Sequence, residues 1–253
     1  MPRIAHASGR YDSRLSLFRR DLIMWMQHHS IVTLTEVSAP ERKKALWHKG
    51  WTVTSGKGEG PGECAILSIR RFWKRLERRT NALTEGGGLA RLSAPLSCAT
   101  GVYELRGKGK RLIVSVAHLP AHVETELRDW VKSGHRNPLD AQALAWVEAV
   151  KAWGLHIERM RELYPDADVW AVADWNVDLR QAWARDLIRD LMKPAGDDLR
   201  FAYPERGTLD GSRRVIDAAL TTLQVDDVKA ENAGASDHLA VNFRTRWPLR
   251  RKL

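Results

Sequence analysis

Carboxylates and histidines stand at the ends of short apolar runs in this chain, in an order that metal-assisted phosphodiester hydrolysis would need. Glu36 follows Ile31-Val32-Thr33-Leu34-Thr35, and Asp174-Trp175-Asn176 follows Val169-Trp170-Ala171-Val172-Ala173. Asp217 lies within Val215-Ile216-Asp217-Ala218-Ala219-Leu220, and Ser236-Asp237-His238 precedes Leu239-Ala240-Val241. His118 ends Leu112-Ile113-Val114-Ser115-Val116-Ala117. Glu36 would be a hard oxygen ligand for Mg2+. A carboxylate inside an apolar strand is costly unless paired, and an imidazolium is its natural partner. Asp217 is therefore expected to bond His238. Side chains alternate along a strand, so Asp174 and Asn176 share a face while Trp175 points the other way.

Each cluster alone also has a plain structural reading. Asp174 to Asn176 fits an Asx turn, Glu36 a solvated strand end, and His118 a satisfied strand terminus. His122 reads as a surface residue, because Pro120 separates it from His118 and no zinc-protease motif is formed. Gly56-Lys57-Gly58-Glu59-Gly60-Pro61-Gly62 lacks the Lys-Ser/Thr ending of a phosphate cradle and reads as a hairpin loop.

The elements that must position these groups follow from periodicity. Strands are expected at residues 3–8, 31–35, 51–54, 65–69, 97–105, 112–118, 169–173, 214–221 and 239–243. Helices are expected at 13–27, 40–49, 123–132, 138–163 and 184–192. Helices and strands mix without strict alternation, and hairpin-length turns join several strands. The pattern predicts two mostly antiparallel sheets packed face to face with helices outside.

The chain has 253 residues, 43% of them hydrophobic, enough for a sizeable core. Residues 1–246 are read as one domain and 247–253 as a basic tail. Cys64 and Cys98 form no metal-ligand spacing and read as buried thiols. No apolar run approaches the ~20 residues that span a bilayer, and the first residues lack a signal-peptide apolar stretch. A cytoplasmic protein is expected. Nothing in the sequence sets the oligomeric state; a monomer is the working expectation. Lys and Arg number 41 against 31 Asp and Glu, giving +10, which favours a polyanionic partner.

Jointly, the motifs resemble the endonuclease/exonuclease/phosphatase superfamily, the fold of pancreatic deoxyribonuclease, over about residues 4–243. Thr35-Glu36 resembles its Gln-Glu metal motif, and His118-Leu119-Pro120 its strand-His-Leu-Pro motif. Ala173-Asp174-Trp175-Asn176 looks like Gly-Asp-Phe-Asn, while Val215-Ile216-Asp217 and Ser236-Asp237-His238 match the two C-terminal motifs. The resemblance implies a four-layer α/β/β/α sandwich. It implies Mg2+ or Mn2+ held by Glu36 with Asp237, a water activated by Asp174, and a phosphate held by Asn176. His238, supported by Asp217, would stabilise the transition state, and His118 would donate to phosphate or leaving group. The family's first-strand Asn is missing here, with Ser8 or His6 as possible replacements.

The superfamily's substrates include DNA, RNA, inositol phosphates and sphingomyelin. Arg70-Arg71-Phe72-Trp73-Lys74-Arg75 interleaves charge with aromatics, and Lys108 and Lys110 flank a turn. These residues are expected to flank the cleft and track a nucleic acid backbone, DNA being preferred. The reading is a nuclease. Its alternatives are a phosphatase or phosphodiesterase of a small or lipid phosphate, and an inactive nucleic-acid-binding homologue.

Overall fold

The computed structural model describes residues 2–9, 15–37, 44–55, 64–84, 96–209, 211–231 and 236–247. Among the described residues, two six-stranded sheets lie face to face. The first runs in the order β11-β12-β1-β2-β4-β3: Gln224–Glu231, Ala240–Arg246, Arg3–Ser8, Ile31–Thr35, Ala65–Ile69 and Trp51–Ser55. The second runs β5-β6-β7-β8-β10-β9: Trp73–Ala82, Ser97–Leu105, Lys110–His118, Ala167–Asp174, Asp217–Thr221 and Arg200–Ala202. Pairing is antiparallel except β1 with β2 and β7 with β8. Each parallel pair is a crossover through helices, which antiparallel hairpins do not need.

Helix α1 (Leu15–His28) covers the outer face of the first sheet through Phe18, Leu22 and Trp25. Helices α2 (Glu124–Lys132), α3 (Ala141–Leu163) and α4 (Ala182–Met192) cover the second. Asp140 caps α3 by accepting from the Ala143 amide at 2.7 Å, the usual way to satisfy a first-turn N–H. The layers are thus α/β/β/α, as the resemblance implied.

Between the sheets, one side chain in two points inward. Ile4, Ile31, Ile66, Val114, Val116, Trp170, Val172, Ala219, Val241 and Phe243 fill this layer. Trp170 meets Phe243 edge to face, ring centroids 4.8 Å apart, a favoured aromatic geometry. Cys64 and Cys98 are both buried and free.

The central strands and the helices fall within a few residues of expectation. β5, β9 and β11 were not expected, and all three are edge strands. β5 and β11 carry many charged side chains, as edges that resist further pairing tend to do, which hides the apolar alternation, and β9 is only three residues long. Residues 214–216 lie outside the ladder and β10 begins at Asp217, their carbonyls accepting instead from the Thr208, Leu179 and Trp175 N–H groups at 2.8 Å. Of the expected helix at 40–49, residues 40–43 lie outside the described residues, 44–45 are helical and 46–49 are turn or irregular, so the helix does not extend to 49; the expected loop at 56–62 lies outside the described residues. Trp247, assigned to the tail, packs on Trp73 with centroids 6.1 Å apart.

Under α3 lies a buried polar chain. His156 Nε2 meets Thr100 Oγ1 at 3.0 Å, Thr100 meets Ser115 Oγ at 2.8 Å, and Trp153 Nε1 donates to Ser115 Oγ at 2.7 Å. Burial, then the charges of Arg79 and Arg159, lowers the His156 pKa to about 4. In the unfolded chain it returns to ~6.5. The unfolded state therefore takes up this proton first as the medium acidifies. Stability should be held above pH 6.5 and fall between there and pH 4. His156→Gln should flatten that part of the slope in urea titrations run at pH 7 and pH 5; an unchanged slope would show His156 does not carry it.

Candidate active site

Where the inward-facing layer reaches one end of the sandwich, its apolar residues give way to polar ones. Ile4 is followed at the two-residue period by His6 and Ser8, Val116 by His118, and Val172 by Asp174. Asp217 opens β10 just before inward Ala219. The first sheet also brings Glu36, at the end of β2, and His238, in the segment leading to β12. Asp217 and Asp174 pair directly across β10 and β8. Asp174 and Asp217 of the second sheet thus meet His238 of the first.

The tightest contact is the expected one. His238 Nδ1 lies 3.0 Å from Asp217 Oδ2. Asp217 is 1% exposed and His238 6%. Burial alone would raise the Asp217 pKa, but the His238 charge and hydrogen bond outweigh it, with His6 adding, and hold it well below the carboxylate range. Burial likewise opposes charge on His238; Asp217, then Asp174 and Glu36, outweigh it and raise His238 to about 10. Asp174 differs. Buried and facing Asp217, it is raised to about 7 against the pull of His238 and His118. Its Oδ2 lies 3.8 Å from His238 Nε2 and 3.7 Å from His118 Nε2. Two carboxylates side by side with separated pKa values are a recurrent arrangement for acid–base work.

Glu36 adopts left-handed backbone (φ 55°), as does Asn176 (φ 56°). For Glu36 this conformation is sterically unfavourable, and strained backbone of this kind clusters at functional sites. Ser8 Oγ donates to Glu36 Oε2. Of the two candidates for the family's missing Asn, Ser8 therefore engages Glu36 and His6 does not. Asn176 donates its side-chain N–H to the Leu119 carbonyl at 2.7 Å and its backbone N–H to Asp174 Oδ1 at 3.1 Å. It ties the segment after His118 to the end of β8. Asp237 is exposed between buried Ser236 and His238.

Some supporting residues were not singled out from the sequence. Thr208 Oγ1 accepts from the backbone N–H groups of Ile216 and Asp217 at 3.0 and 3.1 Å, and its carbonyl accepts from Leu239 N–H at 2.7 Å. It fixes the approaches to Asp217 and His238 together. Asp178 accepts from Val215 N–H at 3.1 Å. Arg214 bonds Glu124, and Glu124 accepts from Asp178 N–H at 3.3 Å. Asp178 stands two residues beyond Asn176, the strand-like spacing that could have flagged it.

The expected substrate rim is corrected by strand direction. β7 begins at Lys110 and reaches the site only at His118, and β4 leaves the site end at Ala65 to reach Ile69. Eight strand residues cover about 26 Å. Arg70, Arg71, Lys74, Arg75, Lys108 and Lys110 therefore gather at the end away from the site. There the two turns bond each other, Arg106 N–H reaching Phe72 O and Arg106 Nε reaching Arg70 O, both at 2.9 Å. Arg75 is occupied structurally, donating to Val53 O at 2.6 Å and Thr54 Oγ1 at 3.2 Å.

A metal fits the chemistry of the donor set. Asp174, Asp217 and His238 have polar atoms within 4.8 Å of one another; with His238 engaged by Asp217, the carboxylates are the donors on offer, and Glu36 adds negative charge that both Asp174 and His238 feel. An oxygen-rich cluster of this sign suits a hard divalent cation.

No family model matches the chain, and no curated protein does so significantly. Solved structures do. A mannosyl-6-phosphatase of Bacteroides thetaiotaomicron, Bt3783, superposes with TM-score 0.66 at 16% identity, covering 98% of this chain and 100% of its own. A Bacteroides vulgatus endonuclease/exonuclease/phosphatase gives 0.68 at 15%, covering 98% and 99%. ANGEL2, described as a 2′,3′-cyclic phosphatase, gives 0.69 at 10%, covering 98% and 96%. The chain has the endonuclease/exonuclease/phosphatase fold.

Asp217 should govern His238 in the metal-free protein. Replacing it by Asn removes the adjacent negative charge while burial remains, so the imidazolium loses its support. Asp217→Asn should lower the His238 pKa by more than about one unit from its value near 10. NMR titration of the imidazole reads this directly, and an unmoved value would refute the pairing.

Proposed function

We propose that the protein is a divalent-cation-dependent phosphoester hydrolase. The observation that carries this reading is the Asp174–His238–Asp217 arrangement, in which one carboxyl raised to about 7 faces an imidazole held charged by the other. Asp174 is suited to take a proton from an attacking water near neutral pH. His238, fixed through Nδ1, presents Nε2 toward the same space and can donate to a phosphoryl oxygen as its charge develops. His118, half-buried and close to Asp174, can donate on the opposite flank or protonate the leaving oxygen. Asn176 holds the loops that carry Asp174 and His118, and one side-chain N–H remains for phosphate or water. Glu36, with Asp237 at the rim, would hold Mg2+ or Mn2+; the cation, when bound, would neutralise phosphate charge. Two structural neighbours, a mannosyl-6-phosphatase and a 2′,3′-cyclic phosphatase, support this reaction class.

Bis-p-nitrophenyl phosphate should be hydrolysed with Mg2+ or Mn2+ and not with EDTA. Asp174→Asn and His238→Ala should each reduce kcat by about 10²- to 10⁴-fold, the span of a lost acid–base group. Wild-type turnover in either variant, or activity untouched by EDTA, would sink the reading.

A narrower reading, cleavage of nucleic acid, is favoured by the +10 surplus. The cationic turns lie away from the site, so their contribution is to capture a polyanion and not to align it. Arg71→Glu, Lys74→Glu and Lys108→Glu together should raise KM for plasmid DNA and flatten its salt dependence. Turnover of bis-p-nitrophenyl phosphate should stay unchanged. An unmoved salt slope, or intact supercoiled DNA beside active hydrolysis of small phosphates, would leave the small-phosphate reading.

A further inference from the structure

Several arginines stand on the segments around the candidate site, and their hydrogen bonds separate them. Arg180 is occupied: its Nε and Nη2 both bond Asp178, at 3.1 and 2.8 Å. Arg206 and Arg213 lie exposed, as solvated charges usually do. Arg214 does neither. Its Nη2 is anchored, donating to Glu124 Oε2 and, at 3.4 Å, to the Asn176 carbonyl. Its Nε and Nη1 have no partner among the described residues, and 42% of the side chain is open to solvent.

Both anchors belong to the loops of the site itself. Glu124 opens α2, after the segment that follows His118, and its carboxylate also accepts from the Asp178 N–H at 3.3 Å. Asn176 bonds Asp174 Oδ1 through its backbone N–H at 3.1 Å. The path from Asp174 Oδ1 through Asn176 to Arg214 Nη2 therefore spans no more than about 10 Å. A guanidinium held at one nitrogen has already lost much of its side-chain freedom. It keeps donors in the planar fork that matches a phosphate. A phosphate one nucleotide or one sugar ring beyond a scissile group at Asp174 comes within its reach.

We propose that Arg214 is a specificity-determining residue: its free Nε and Nη1 bind a second phosphate on the substrate, next to the scissile one. Asn176 and His238 serve the scissile phosphate, and Arg214 the neighbouring one. Arg71, Lys74 and Lys108 lie at the far end and can only attract a polyanion, whereas Arg214 can align a substrate. Two sources share this chemistry, the next phosphate of a nucleic acid strand and the second phosphate of a small bisphosphate. A strut between the loops would use Nη2 alone and would give no preference between singly and doubly phosphorylated substrates. The kinetic consequence rests on the hydrolase reading; anion binding at Arg214 does not.

Two measurements keep these apart. The first compares kcat/KM within two substrate pairs: thymidine 5′-(p-nitrophenyl phosphate) with and without a 3′-phosphate, and fructose 1,6-bisphosphate with fructose 6-phosphate. Arg214→Met should lower the ratio of doubly to singly phosphorylated substrate about tenfold in one pair or both. Any general loss from removing the strut cancels in that ratio. A fall in the nucleotide pair identifies a strand phosphate, and a fall in the sugar pair a small bisphosphate. Arg214→Lys, which keeps the charge without the fork, should recover part of the loss. Ratios unchanged in both pairs overturn the proposal. The second measurement needs no variant and no turnover. In wild-type protein labelled with 15N-arginine, with Ca2+ as the hard cation, the Arg214 Nε–H resonance is assigned through its backbone N–H. Thymidine 3′,5′-bisphosphate should shift it, and thymidine 5′-monophosphate should shift it less. Equal shifts, or none, overturn the assignment of the second phosphate. Complete absence of phosphoesterase activity in the wild type would instead overturn the hydrolase reading, with the Arg214 resonance still deciding the anion site.

Discussion

Everything at this site depends on two carboxylates being pressed together inside the sandwich. Asp174 and Asp217 face each other across β8 and β10, both almost wholly buried. Like charges directly opposite in a sheet repel, and burial removes the water that would screen them. The fold resolves this unequally. Asp217 is surrounded by imidazole and stays ionised, while Asp174 keeps a proton up to about pH 7. The asymmetry is created by the first sheet, which supplies His238 and His6. Sheet packing is thus a chemical requirement as much as a structural one, because separating the sheets would strand Asp217 without its counter-charge.

The same packing explains why the site sits at an end of the molecule and not at its middle. Period-two alternation sends every second residue of each central strand into a layer filled by Ile, Val, Trp and Phe. Polar groups there need hydrogen-bond partners; mid-strand His6 and Thr33 meet each other, while strand ends and their loops supply partners most readily. Thr208 and Asp178 do so by binding backbone N–H groups ahead of Asp217. Left-handed turns at Glu36 and Asn176 then bend the chain away immediately after each strand, which keeps their side chains at the mouth of the layer.

Much of this was legible in the sequence, for identifiable reasons. Central strands are buried on both faces, so β1, β2, β4, β6, β7 and β8 read as apolar runs. Residues ending those runs stood out, and Asp217 with His238 could be paired by the cost of burying a lone charge. Edge strands could not be read this way. In β5 the inward Trp73 is followed by Lys74 and Arg75, and Arg75 bonds the facing sheet, so a strand looked like a basic loop. His6 was named only as a substitute for an absent Asn, because Ile4-Ala5-His6-Ala7 does not reveal which sheet it faces. Thr208 had no signal at all, since its work is done through backbone N–H groups.

The basic turns teach a further point about direction. Charge in a sequence can be counted, but its end of the sandwich depends on how many strand residues separate it from the site. β7 is long enough to place Lys108 and Lys110 a full strand length from His118. A field of +10 draws phosphates toward the whole protein, and the steering term is general and sensitive to salt. It does not orient a scissile bond at Asp174. On the proposed hydrolase reading, selection among phosphoesters would therefore come from the loops at the site end, where Asn176, Thr208 and Arg214 hold the backbone in place. Substitutions there should change which substrate turns over, whereas substitutions at the cationic end change how readily a polyanion arrives.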